Sequence, residues 1–410
     1  MKKFSCFTLA VSLSSIKAQS QRLPPQTVVS VHSSLVHKPL YLDSIQVVDV
    51  AGLAVLGNNG SFRTPSATFN PTNATTPFFQ VWDTSFLDIL GPNASVRVIA
   101  DHDVGEFPSA HEALIWDPST DQIFFVSSTG TPGGDHPDNN QVSVISLKDV
   151  KGPGPQNINF TKVPITPELQ MVNGGTPLGR NLLFATNGFG TSPSRLELVN
   201  PRPPFNSTTI LDNFRGRQFN SMNDLKVHPT SGAVFFTDPT YGYGFLLGFK
   251  PSPTLPNQVY RFDPKTGAVR VATDEVDECN GIAFSPDGKI AYIADSGAAG
   301  LSFDPTHPAT IYAFDVDPQT QQFRNRRVLA YIDTGAPDGL QVDSKGNVYA
   351  STADGVQVYD PTGVLLGKIF IGTTSANNIF AGPGRLVILA LSQIFLVEFA
   401  AAPSLIELQV

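Results

Sequence analysis

The sequence predicts an all-β chain folded as a six-bladed β-propeller, and three observations carry that prediction. First, 34 Gly, 34 Pro and only 15% charged residues in 410 favour tight turns over long surface helices. No stretch keeps apolar residues at helical spacing; short apolar runs bounded by Asp-Pro, Asp-Gly and Pro-Thr-Gly recur instead. Second, one grammar repeats: polar leader, apolar strand, tight turn, second apolar strand. Third, the leaders Glu112, Asn173, Asn223, Asn280 and Asp338 follow one another at intervals of 61, 50, 57 and 58 positions.

Taken in order, the units read as follows. His111 to Trp116 opens the first unit, Asn173-Gly174-Gly175 the second. Asn223 to Asp238, Asn280 to Asp295 and Pro337 to Thr352 each spell an inner hairpin with glycine at the turn. Outer hairpins with Asp-Pro turns lie between them, at Tyr260 to Gly267, Tyr312 to Asp315 and Tyr359 to Gly363. Two hairpins per period make a four-stranded sheet, the blade of a propeller. A sixth unit begins near Asn377, and the segment Ser95 to Ile99 is expected to lend the last blade a strand and close the ring. A pair of β-sandwiches would not hold the polar leaders at constant phase. Radial repetition also lets residues 81–410 form one domain beyond the usual single-core size.

The ends are read separately. Lys2, Lys3, the apolar run Phe4 to Ile16 and Ala18 have the order of a secretory signal over residues 1–18. Removing it takes three lysines and no acid, so the net charge moves from −8 to −11. An acidic secreted chain is not expected to bind nucleic acid. Residues 19–80, rich in Ser, Thr, Pro and Asn, are expected to wrap the propeller as an irregular segment. The tail Leu386 to Phe399, interrupted by Ser392, Gln393 and Glu398, reads as closing strands, so no membrane anchor is expected. Cys6 would leave with the signal, making Cys279 the sole cysteine and excluding an intrachain disulfide. Sequons at Asn59, Asn73, Asn93, Asn159 and Asn206 are candidate glycosylation sites. Gly130 to Asn140 reads as an insertion, either a rim over a site or a solvated loop.

Asn223-Asp224, Phe236 to Gly242, Asn280-Gly281 with Ser285 to Gly288 and Ala294 to Gly297, and Pro337-Asp338-Gly339 together resemble the SMP-30/gluconolactonase family. His111 to Trp116, Gly216 to Asp224 and Asn257 to Tyr260 are similar to its secreted fungal lactonohydrolases. The resemblance runs in order over roughly residues 80–400. It implies a six-bladed propeller with one divalent ion near the mouth of the central tunnel, and hydrolysis of sugar-type lactones. It further implies Glu112, Asn223, Asn280 and Asp338 as metal ligands and Asp338 as proton acceptor. Two departures stand out: Ala113 where many members have Gly, and Cys279 where Pro usually precedes the Asn-Gly.

Chemistry at these positions points the same way. Two carboxylates and two amide oxygens suit a hard cation, Ca²⁺ before Mg²⁺ or Mn²⁺, and leave room for water and substrate. Each Asn alone would be a turn residue; the shared phase argues for convergence. His111 is the alternative proton shuttle, or else a residue packed between blades. Asn173, Tyr241 and Arg217 are candidate substrate contacts; Asp224 and Asn377 are candidates to orient the ligands from behind. Tyr243 belongs to the same glycine-rich turn as Tyr241, while Asp238 and Asp295 read as turn residues. The chain lacks Gly-x-Ser-x-Gly, His-Glu-x-x-His, Gly-x-Gly-x-x-Gly and P-loop motifs. The expectation is a secreted, metal-dependent lactonase acting on small hydroxylated, aldonate-type lactones. The alternatives are an organophosphate or arylester hydrolase on the same scaffold, and a non-catalytic calcium-stabilised binding propeller.

Overall fold

A computed structural model describes residues 44–57, 60, 62–63, 68–102, 108–128, 139–245, 248–300 and 302–404. The signal segment 1–18, Asn59 and most of the 130–140 insertion lie outside the described residues.

Six antiparallel sheets follow one another along the chain. From the axis outward, blade 1 is Glu112–Asp117, Gln122–Val126, Val142–Ser146 and Thr161–Lys162. Blade 2 is Val172–Leu178, Asn181–Thr186, Arg195–Val199 and Ser207–Leu211. Blade 3 is Leu225–Val227, Val234–Asp238, Gln258–Phe262 and Val269–Thr273. Blade 4 is Cys279–Phe284, Ile290–Asp295, Thr310–Val316 and Phe323–Tyr331. Blade 5 is Leu340–Val342, Val348–Thr352, Gly355–Tyr359 and Leu365–Phe370. Blade 6 takes Asn377–Phe380, Arg385–Ala390 and Gln393–Glu398, and then Ser95–Asp101 from the other end of the chain. The expected closing strand is therefore in place, and each innermost strand touches the next around the ring.

Alternation along the second strands explains why the ring holds. Successive side chains of a strand point to opposite faces, so each blade divides its apolar residues between two neighbours. Ile123 and Phe125 pack against blade 6, whereas Phe124 and Val126 pack against blade 2. Leu182 and Phe184 face blade 1, while Leu183 and Ala185 face blade 3. Tyr292 and Ala294 of blade 4 meet Leu340 and Val348 of blade 5 in the same manner. The result is six buried clusters, one at each blade interface. The inner hairpins turn on Gly232, Gly288 and Gly346 at φ of 71°, 70° and 89°, a region glycine enters without strain.

From the segment preceding the propeller, Phe78–Val81 pairs with the outer edge of blade 5, and Ile45–Val47 pairs in parallel with Phe78–Val81. That edge is pinned by charge. Lys368, 1% exposed, reaches Asp333 at 2.8 Å and Asp354 at 2.9 Å, and Arg63 reaches Asp333 at 3.1 Å. The sheet of blade 5 thus carries six strands, and its outer edge is Ile45–Val47 instead of Leu365–Phe370. Among the described residues no helix is long and apolar enough to cross a membrane.

Candidate metal centre

All six inner strands start at the same end of the ring, and the polar leaders sit at or just before those starts. Glu112 and Asn377 are first residues of their strands, Asn280 is second in its strand, and Asn223 and Asp338 lie two residues upstream of theirs. The strands are not regular there. Register shifts fall between Glu112 and Ile115, Val172 and Gly174, and Cys279 and Ile282. Such bulges re-aim a side chain, and here they occur at three of the polar leaders.

Small residues after the leaders let the strands crowd together. A Cβ on Gly175 would stand 2.7 Å from the carbonyl oxygen of Ala113. One on Gly339 would stand 2.5 Å from Asn377 Oδ1, and one on Gly281 would press on the Asp338 carbonyl oxygen. Ala113 takes the left-handed conformation at φ 58°. The departure from the family pattern is therefore carried as backbone strain, with the close approach of blades 1 and 2 kept. Cys279 is buried in the inner strand of blade 4 at the start of the bulge, and burial pushes its thiol up.

Three of the four expected ligands are joined by hydrogen bonds. The Asn280 carboxamide donates to Asp338, and the Glu112 and Asp338 carboxyls lie within hydrogen-bond reach of each other. Asn377 Nδ2 donates to Glu112 Oε2 at 2.6 Å. Glu112 is raised well above the carboxylate range by burial and by the charge of Asp338. Asp338 is raised to about 7, by burial and then by Asp224. Two buried acids this close resist being ionised together unless a positive charge joins them. Asp338 retains a partly exposed surface, although its carboxyl is enclosed by neighbouring protein.

Asn223 is the fourth member. It is 4% exposed, and its Oδ1 has no hydrogen-bond partner among the described residues. A buried carbonyl left unpaired costs about 1–3 kcal/mol, so it calls for a partner such as a cation. With two acids needing a counter-charge and one amide oxygen needing a partner, this donor set fits a hard divalent ion. No cluster of three His, Cys, Asp or Glu with ligand geometry occurs among the described residues, as expected where half the donors are amides.

The other expected residues fall at graded distances. Asp224 faces the site electrostatically, raising both Glu112 and Asp338, but its oxygens accept the backbone N–H of Leu225 and Ile282 at 2.8 and 3.1 Å. It links blade 3 to blade 4. Asn173 Nδ2 donates to the Asn223 carbonyl oxygen at 3.5 Å. His111 is half-buried immediately before Glu112, and its enclosure lowers its pKa to about 4, so the ring is neutral. Tyr241 is half-buried, with its hydroxyl donating to the Glu278 carbonyl at 3.2 Å and feeling the field of Asp338. Tyr243 beside it is 47% exposed. Arg217 is exposed, and among the described residues its side chain makes no hydrogen bond or ion pair with the quartet. The expected substrate contact at Arg217 thus lacks structural connection to the centre.

Asp238 and Asp295 correct the sequence reading, which took both as turn residues. Each is 0% exposed and receives two backbone N–H groups from the connection entering its own blade's inner strand. Asp238 accepts from Asn220 and Ser221, Asp295 from Asp277 and Glu278, at 2.8–3.0 Å. These connections lead into Asn223 and Asn280. The equivalent phase of the two aspartates, each ending a second strand, was the available signal.

Below the polar ring the axis narrows to a cavity of about 60 Å³, lined by residues of all six inner strands including Trp116, Lys226, Phe284, Gln341 and Phe380. Pro403 and Ser404 of the C-terminal segment border it.

Comparison with known proteins agrees with this architecture. A lactonohydrolase (oryL) of Aspergillus oryzae is 29% identical over 360 residues, spanning 81% of this chain and 76% of that protein. A gluconolactonase of Zymomonas mobilis is 31% identical over 192 residues, 45% of this chain and 52% of that protein. The solved structure of a Xanthomonas campestris gluconolactonase superposes with a TM-score of 0.61 at 23% identity, covering 78% of this chain and 94% of that one; this likeness speaks to fold. The model of the SMP-30/gluconolactonase/LRE-like region matches residues 185–392, a segment holding Asn223, Asn280 and Asp338. Half of the chain matches that model, and the chain belongs to the SMP-30/gluconolactonase/LRE-like family.

Proposed function

We propose that this protein is a lactone hydrolase whose site is built on a divalent cation, Ca²⁺ in first place, held by Glu112, Asn223, Asn280 and Asp338. The lactonohydrolase and gluconolactonase names of its relatives support the reaction class. The carrying observation is the unpaired, buried Asn223 oxygen, together with two neighbouring buried acids, Glu112 and Asp338, that are both shifted upward. When bound, the ion supplies a Lewis acid that polarises the lactone carbonyl.

The chain's own groups do the rest. Asp338, as carboxylate, takes a proton from the water that attacks the acyl carbon. As the ring C–O bond breaks, that proton passes to the departing ring oxygen, and the product is the open hydroxy acid. Asn280 holds the Asp338 carboxyl by its donated hydrogen bond, and Asn377 holds Glu112. His111, neutral at physiological pH, is the second candidate for proton transfer. Asn173 and Tyr241 are the substrate contacts that lie nearest in this scheme. Small hydroxylated lactones of the aldonate type suit a site of carboxyl, carboxamide and phenol groups.

A chelated sample and its calcium-restored counterpart, assayed on glucono-δ-lactone and related lactones, test the proposal. Turnover should vanish and return; a binding propeller would melt earlier on chelation and show no turnover in either state. Release to the medium is part of the proposal, resting on residues 1–18. The secreted form should begin at Gln19 by mass spectrometry, and carry glycans at one or more of the exposed Asn73, Asn93, Asn159 and Asn206.

A further inference from the structure

The peptide that precedes Asp338 is held at both ends by other elements. Its N–H, belonging to Asp338, donates to the Ser351 carbonyl oxygen at 2.9 Å, within the same blade. Its C=O, belonging to Pro337, accepts a short hydrogen bond of 2.5 Å from the hydroxyl of Ser296, which belongs to blade 4. Ser296 is 3% exposed and lies directly after the strand-ending Asp295. Its own N–H is fixed on the Glu278 carbonyl oxygen at 2.9 Å, the same oxygen that accepts the Tyr241 hydroxyl from blade 3. The Tyr241 phenol is also within hydrogen-bond reach of the Ser296 hydroxyl. On the far side of Asp338, the Gly339 N–H donates to the Ala376 carbonyl oxygen at 2.9 Å, and Asn378 Nδ2 donates to the Gly339 carbonyl oxygen at 3.3 Å.

We propose that Ser296, backed by Tyr241, is a positioning residue that sets the rotation of the Pro337–Asp338 peptide and so aims the Asp338 carboxyl at the centre. The inference rests on the metal-centred reading of the site. Its physical basis is leverage. A peptide plane locked at both its donor and its acceptor cannot rotate, and the direction of the next Cα–Cβ bond is then fixed. With the hydroxyl gone, the Pro337 carbonyl has no partner from blade 4, and the plane is held at one end only. Small displacements of a catalytic group are costly, since about 1 Å can cost about 100-fold in rate. Nothing in residue spacing marks Ser296, because its partner is a backbone carbonyl of the next blade.

Ser296→Ala, Ser296→Thr and Tyr241→Phe, each at saturating calcium, test the proposal alongside calcium titrations by calorimetry. Ser296→Ala should lower kcat by about tenfold with KM within twofold of the parent, Ser296→Thr should restore most of kcat by keeping the hydroxyl, and Tyr241→Phe should fall between. Calcium affinity gives a readout independent of turnover. Ser296→Ala should weaken it about fivefold in the parent but by less than twofold in an Asp338→Asn background, because coupled residues are non-additive. Equal weakening in both backgrounds, or a Thr variant as impaired as Ala, overturns the positioning role. Calcium binding without any lactone turnover in the parent would instead defeat the hydrolase reading and leave the coupling cycle to decide for Ser296. A parent that binds no calcium overturns both.

Discussion

Asn223 separates the metal role from a structural one. Its buried oxygen has no partner among the described residues, so removing it relieves a penalty while costing some packing. Asn223→Ala is expected to leave cation-free stability within about 1 kcal/mol of the parent, while the rise in melting temperature on adding calcium largely disappears. Calorimetric scans with and without calcium check both halves. Glu112 and Asp338 divide differently. Glu112→Gln should weaken calcium binding with kcat largely recovered at high calcium. Asp338→Asn should cost on the order of 100-fold in kcat even at saturation if the residue is both ligand and base. Equal losses in affinity and kcat for the two variants would reject the dual role. The raised carboxyls give a pH dependence whose sign follows directly. Glu112 is shifted upward and Asp338 to about 7, against about 4 in the unfolded chain. Between those values the folded form binds more protons than the unfolded one, so cation-free stability should fall as pH rises from about 4 to about 7. Calcium, which favours the ionised pair, should flatten or reverse the trend, and denaturant melts across that range will show it.

At the scale of elements, the strand starts carry the strain of the design. Ala113 sits at φ 58°, a conformation costing an L-residue about 1–2 kcal/mol, against about 0.5–1 kcal/mol lost to glycine's unfolded freedom. Ala113→Gly should therefore stabilise the chain by up to about 1 kcal/mol in chemical denaturation. Gly281→Ala should do the opposite and severely, because its Cβ would meet the Asp338 carbonyl. On blade 5, Lys368 is enclosed between Asp333 and Asp354. Replacing it with Ala leaves carboxylates without their cation and is expected to cost about 3–5 kcal/mol, read by the same denaturation. These elements also show what a reader of the sequence can and cannot reach. The period of Glu112, Asn223, Asn280 and Asp338, and the short turn-bounded apolar runs, are one-dimensional signals, and the blades follow from them. The left-handed Ala113, the unpaired Asn223 oxygen and the Ser296 bond to Pro337 are not. Each depends on how close two blades approach, a distance that no residue spacing encodes. Arg217 shows the converse, since a charge near a motif in sequence ended up exposed and unconnected to the centre.

For the molecule as a whole, the arrangement ties a strand near the start of the chain to the last hairpin. Ser95–Asp101 pairs along Gln393–Glu398, and Arg97 meets Glu398 at 2.6 Å. Ile99 and Ala100 fill the interface between blades 6 and 1 together with Leu114 and Leu396. A ribosome must therefore finish almost the entire polypeptide before the circle can shut. Until then Glu112 waits beside an open flank, without the Asn377 that is to grip it. A truncated product stopping short of the final hairpin would be left with a sticky, unmated rim between its first and last blades. Closing the circle therefore brings together, late in synthesis, two segments some three hundred positions apart in the chain.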